Sequence, residues 1–367
     1  MLRQISSCAF AMLLSAAAPA PGARAQNRAP DLGEYIERYA LDHNFSGVVL
    51  VTHHGRALHN AAIGQAERAF ATPMRTDTRF AIASVTKLFA STLTLQLVAE
   101  GRLGLDEPLG RYVDVLPEAA RRITIRQLLS HTSGLSQYDR VTSFQDAFQN
   151  GVPAYQQPMS VEDSLRFCCS GTLEREPGSA FSYNNADYLA IQTILERVSG
   201  KPFAQLLRER ILAPLSLNDT GVLDYATVNE RLASTYFIRP DTNAMQRDMP
   251  VYWENWGAAG AMYSNATDLA RFADAVFAGA LLNDAGRAEL LRPGPDEYAL
   301  GLWSYSFSRH GRVYRVAKRP GSIMGANAVV YRLLDQNLNI ILLANTNGAD
   351  LDEFAQRLAE RWIDQSS

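Results

Sequence analysis

Cysteine is scarce in these 367 residues: there are three, and with Cys8 in an N-terminal leader the rest of the chain holds only the adjacent pair Cys168 and Cys169. A disulfide scaffold is therefore excluded, and because neighbouring cysteines bridge only with strained geometry, two buried free thiols are expected. The six histidines (His43, His53, His54, His59, His131 and His310) show no H-E-x-x-H spacing, and no C-x-x-C is present, so no metal site is expected. The chain has no run of Lys or Arg, and its formal net charge is −3. Nothing is available to hold a phosphate backbone, which excludes nucleic acid as a partner. There is no G-x-S-x-G, so the strand-to-helix nucleophile turn that goes with that motif is excluded too. No internal repeat or low-complexity tract occurs.

What is present is globular in character, with 47% hydrophobic and 20% charged residues. The first residues run from Arg3 through an apolar stretch at about Cys8 to Ala18 and on to Ala23-Arg24-Ala25. That is the order of a secretory signal peptide cut after Ala25, too short in its apolar part to span a bilayer. A secreted, periplasmic protein with no stable membrane anchor is expected, with residues 26–31 as spacer and the folded domain over 32–367.

Within that domain the spacing predicts a helix over Leu32 to Asp42, then a hairpin of Ser46 to His53 and Arg56 to Ile63 around a His54-Gly55 turn. Ser84 to Glu100 reads as a largely buried helix stopped at Gly101. The middle is mostly short helices, including Thr124 to Ser130, Asp187 to Ser199 and Phe203 to Ile211. Strands return at Gly311 to Ala317, Ala328 to Leu333 and Leu338 to Ala344, before a last helix from Leu351 to Ile363. Strands at both ends around a helical middle imply an α/β (α+β) domain. Its α/β part spans about 32–83 and 266–367, and its helical insertion about 84–265.

Three segments carry chemistry. Ser84 and Lys87 lie one helical turn apart, so a hydroxyl and an amine share a face, and burial would lower the amine's pKa until it could take the hydroxyl proton. Tyr183 and Asn185 follow Pro177-Gly178 and precede a helix, which can present a phenol as proton relay and a carboxamide as hydrogen-bond partner. Arg319-Pro320-Gly321-Ser322, between two predicted strands, offers a cation for a substrate carboxylate and a glycine for close approach of a substrate backbone.

Taken with Leu128-Leu129-Ser130-His131-Thr132-Ser133-Gly134-Leu135, Glu176-Pro177-Gly178 and Gly260-Ala261-Met262-Tyr263-Ser264, these segments stand in an order that resembles the serine β-lactamase-like hydrolases of the class C type. That family includes D-alanyl-D-alanine carboxypeptidases and related esterases. The resemblance runs from about Leu32 to the C-terminus and implies a β-lactamase/transpeptidase-like fold, with an antiparallel sheet built from both chain ends and flanked by helices. It also implies roles: Ser84 as nucleophile, Lys87 and Tyr183 as shared base and acid, Asn185 orienting the acyl side chain, and the amides of Ser84 and Ser322 as oxyanion hole. His131 is taken as structural. The family's third motif usually reads Lys-Thr-Gly or His-x-Gly, and Arg319-Pro320-Gly321 departs from it.

The expectation is a serine hydrolase that needs no cofactor and acts as a monomer on a small-molecule or peptide substrate bearing an acyl group and a carboxylate. β-Lactam or D-Ala-type amides stand somewhat ahead of simple esters. A carboxylesterase, and a non-catalytic ligand-binding relative, are the alternatives.

Overall fold

The computed structural model describes residues 32–138 and 144–366. The expected signal peptide and spacer lie outside that range. Helix α1 (Leu32–Asp42) leads into the hairpin β1 (Gly47–His53) and β2 (Arg56–Ile63). A 3-10 turn, Ala83–Val85, runs into α2 (Thr86–Ala99). The helical middle contains α3 (Ile125–Leu129), α4 (Val161–Cys169), α5 (Asn185–Ser199) and the single turn α6 (Gly257–Gly260), and α7 (Ala266–Phe277) follows it. The chain then returns as β3 (Trp303–Arg309), β4 (Arg312–Ile323), β5 (Ala326–Leu333) and β6 (Leu338–Ala344), and closes with α8 (Leu351–Ser366).

These six strands form one antiparallel sheet in the order β3-β4-β5-β6-β1-β2. Its central seam pairs the two ends of the chain, Val49 opposite Leu342 and Val51 opposite Ile340. Successive side chains of a strand point to opposite faces, and here both faces are covered. Val48, Leu50, Val330, Ile341 and Leu343 pack on the side of α2 and α7, whereas Val49, Val51, Tyr331, Ile340 and Leu342 pack against α1 and α8. This is why β1 and β6 read as nearly continuous apolar runs rather than alternating ones. α2 is buried all round, from Thr86 to Leu95. The rings of Phe89 and Phe272 stack with centroids 3.6 Å apart and tie it to α7.

Four expectations need correction. The helix expected from Ser84 begins at Thr86, with Ser84 in the tighter turn before it. β3 was not anticipated, although Trp303, Tyr305 and Phe307 alternate with serines as a half-buried edge strand should. The segment Arg319 to Ser322, expected between strands, lies inside β4, which pairs with β5 through to Ile323. Finally, Cys168 and Cys169 are bonded to each other at the end of α4, not free thiols.

Candidate active site

The site is assembled where β4 outruns its neighbour. β3 pairs with β4 only as far as Lys318, so residues 319–323 bond to β5 on one side and leave the other edge open. The Ala83–Val85 turn lies against this stretch of β4. Ala83 takes a left-handed φ of 45°, an uncommon conformation for a residue with a Cβ, and it is fully buried. Gly321 sets the approach: a Cβ there would stand 2.8 Å from the amide nitrogens of Ser84 and Val85, and closer still to the Ile82 carbonyl oxygen. Only glycine leaves room for turn and strand to touch.

Ser84 Oγ is 2.9 Å from Lys87 Nζ and 2.7 Å from Tyr183 Oη. Lys87 is fully buried, and its Nζ also donates to Asn185 Oδ1 at 2.8 Å and to the Ala259 carbonyl at 2.6 Å. Both of those oxygens only accept. An ammonium therefore gives its third hydrogen to Ser84, whereas a neutral amine would turn a lone pair toward the hydroxyl hydrogen. Tyr183 comes from the loop before α5, whose N-cap is Asn184.

Arg319 is 1% exposed, and its guanidinium is engaged on three sides. Nε donates to the Ser84 carbonyl, one terminal nitrogen to Tyr298 Oη and the other to Tyr183 Oη, each at 2.7 Å. Arg319, expected to hold a substrate carboxylate, thus lies buried with its guanidinium turned to the Tyr183 phenol and the Ser84 turn. Lys318 does not replace it. It faces the other way and pairs with Asp352 at the start of α8, 2.8 Å away.

Burial opposes ionisation of the Tyr183 phenol, but the charges of Arg319 and Lys87 and hydrogen bonds from Lys87 and Ser84 outweigh it and bring its pKa down to about 8. Burial instead pushes the phenols of Tyr188 and Tyr298 up. Asn185 is 9% exposed and accepts a hydrogen bond from Lys87. Ser322 is exposed on the open edge of β4. Trp303 stacks on Tyr183 at 6.5 Å and is half-buried, whereas Trp256 belongs to the core. His131 is fully buried beneath Tyr183, with Nδ1 2.7 Å from Asp187.

The structure therefore brings Ser84, Lys87, Tyr183, Asn185, Arg319 and Gly321 together from segments spread over most of the chain. Sequence reasoning did not single out the Ala259 carbonyl, Tyr298 or Asp187. Gly257-Ala-Ala-Gly hinted at a close backbone approach, but Tyr298 carried no local signal.

The family profile described as Beta-lactamase matches residues 32–361. The chain belongs to the beta-lactamase family. Within it, this protein is a serine hydrolase. It is 31% identical over 304 residues to Esterase EstB of Burkholderia gladioli, a match covering 71% of this chain and 74% of the esterase. It is 25% identical to Penicillin-binding protein 4* of Bacillus subtilis, over 87% of this chain and 72% of that protein. Among solved structures, the D-amino acid amidase of Ochrobactrum anthropi superposes with a TM-score of 0.77 at 25% identity, over 92% of this chain and all of the amidase.

Proposed function

We propose that this beta-lactamase family protein is an exported acyl hydrolase that works through an ester on Ser84 and prefers small esters and uncharged amides to carboxylate-bearing β-lactams. The observation that carries the reading is one hydroxyl, Ser84 Oγ, within 2.9 Å of both an amine and a phenol. Two buried cations, Lys87 and Arg319, flank that phenol, and buried charge persists when it is paired. A Tyr183 phenolate supplies the countercharge, so Tyr183 is the base. It takes the Ser84 proton as the oxygen attacks the acyl carbon, gives it to the leaving oxygen or nitrogen, then takes a proton from the water that attacks the acyl ester and returns it to Ser84 Oγ as the acid departs. The amides of Ser84 and Ser322 are the oxyanion donors in this reading, since the open edge of β4 lies against the nucleophile turn. The substrate preference rests on Arg319 and Lys318, both basic and both already engaged, and agrees with the similarity to an esterase. Export rests on the order of the leader alone.

A second reading, trapping or hydrolysis of β-lactams, is favoured by the similarity to penicillin-binding proteins. One experiment separates them. The mature protein and Ser84→Ala are exposed to p-nitrophenyl butyrate, a penicillin and a D-alanine anilide, with product release and intact mass followed in time. Ester turnover that disappears in Ser84→Ala, without a lasting penicilloyl adduct, is expected. A stable or rapidly hydrolysed penicilloyl adduct would replace this preference with the second reading, and ester turnover surviving in Ser84→Ala would remove Ser84 as nucleophile.

A further inference from the structure

His131 holds Tyr183 from both sides. Its carbonyl accepts the amide of Ser182 at 2.8 Å, and its Nδ1 accepts the amide of Asn184 at 3.3 Å. The ring lies against Tyr183, with centroids 4.4 Å apart. Gln137 holds the Tyr183 carbonyl. Tyr183 is thus fixed through both of its neighbours by a residue that touches no reacting atom.

The hydrogen-bond pattern around His131 bears on which partner carries the proton. The Asn184 amide is aimed at Nδ1, and Asn184 is 1% exposed, so an N–H on Nδ1 would set two donors against each other with no water to relieve them. Nδ1 must therefore present its lone pair. The 2.7 Å contact between the same Nδ1 and Asp187 Oδ2 needs a hydrogen as well, and the imidazole cannot supply it. It then comes from the carboxyl group, and the single lone pair of Nδ1 is shared between a short bond from Asp187 and a long, weaker one from Asn184. Asp187 Oδ1 in turn accepts from Ser133 Oγ at 2.5 Å, as the carbonyl oxygen of a carboxylic acid would.

We propose that Asp187 is a neutral carboxylic acid that donates to His131 Nδ1, making the two an uncharged positioning pair that sets Tyr183 and leaves its phenol, among the described residues, as the sole countercharge to Lys87 and Arg319. The proposal rests on the reading of Tyr183 as base. The charged and titratable groups around the pair are Lys87 from α2, Tyr183 and Tyr188 at and within α5, Tyr298 before β3 and Arg319 on β4. Burial, with nothing cationic in direct contact, drives the Asp187 carboxyl well above the usual range. Burial and the two nearby cations hold the His131 imidazole well below its own. An ionised Asp187 would share in neutralising Lys87, and the phenol would lose part of the positive field that makes it acidic. With Nδ1 bare, the imidazole hydrogen sits on Nε2, a buried atom with no hydrogen-bond partner in a ring cage of Tyr183, Tyr188 and Tyr298. An N–H over aromatic faces is a tolerable, if weak, resting place.

Two measurements test this on the mature protein. Nitrogen-15 NMR of histidine-labelled protein, with His131 assigned by its contacts to the Tyr183 and Tyr188 rings, should show the Nε2–H tautomer unchanged from about pH 5 to about pH 9. An Nδ1–H or an imidazolium would overturn the proposal, whatever the protein's activity. In kinetics, Asp187→Ala should lower kcat by about ten- to a hundredfold, within the span usual for misplacing a general base. Asp187→Asn, whose amide can donate to Nδ1 and accept from Ser133, should recover most of that loss and keep the acid limb of the pH profile in place. An Asparagine variant as damaged as the alanine one, or one whose acid limb moves to lower pH, would mean that an anion had been removed and would sink the idea. If Tyr183 proved not to be the base, the kinetic arm would lose its meaning while the tautomer would still decide the proton's place.

Discussion

Replacing Arg319 with glutamine tests the electrostatics of the site most directly. The guanidinium stands 2.7 Å from the Tyr183 oxygen, and its charge centre lies farther back, at about 4 Å, where a unit pair in an effective dielectric of about 20 interacts by about 4 kcal/mol. At about 1.4 kcal/mol per pKa unit this is an upper bound of about three units, and relaxation of the site and a retained amide donor bring a realistic figure to about two. The sign is fixed: removing a cation disfavours the phenolate and raises the pKa of Tyr183 from about 8. The acid limb of kcat/KM should therefore move upward by about two pH units in Arg319→Gln, and activity at neutral pH should fall about a hundredfold. The loss should shrink as the medium is made more alkaline. Arg319→Lys, which keeps a charge, should return the limb most of the way. The assay is ester hydrolysis at saturating and limiting substrate over the full stable pH range, with folding checked by circular dichroism. A loss equal at every pH would refute the reasoning, because it would make Arg319 a packing element with no hold on the ionisation of Tyr183.

Gly321→Ala should cost at least about a hundredfold in kcat and lower the melting temperature, because its Cβ would push against the amides of Ser84 and Val85; normal turnover in that variant would show that turn and strand need not touch. Glu67 gives a stability prediction. Hydrogen bonds from Ser234 and Tyr236 hold its carboxyl down to about 2 from 4.5, so the stabilisation is fully present above pH 4.5 and is lost as pH falls through about 2. The melting-temperature gap between the native protein and Glu67→Gln should be widest near neutrality and close toward pH 2, and a gap that widens in acid would contradict this.

Much of this fold was legible because its signals are local. β1 and β6 are apolar runs cut by turn residues, and α1 and α8 show one apolar face each. Ser84, Lys87 and Tyr183 were legible through the order of their segments along the chain, since Ser-x-x-Lys and Tyr-x-Asn are each common patterns by themselves. The burial of Arg319 was not legible because its partners are remote: Tyr183 and Tyr298 approach it only after folding, and nothing in Arg-Pro-Gly tells a buried cation from one open to substrate. That Asn185 bonds the Lys87 amine was not legible, because nothing local shows that the two approach to 2.8 Å. The bond between Cys168 and Cys169 was not legible, because sequence offers only their adjacency.

The seam between β1 and β6 has a consequence for how the molecule comes into being. A chain emerging from its first residue carries Ser84, Lys87 and Tyr183 long before it carries Arg319, Gly321 or the strand that β1 needs as its neighbour. Until that last stretch arrives, the middle of the sheet is an open edge and the nucleophile turn has nothing to lean on. A chain cut before β4 would therefore keep Ser84, Lys87 and Tyr183 and lack the strand against which their turn packs.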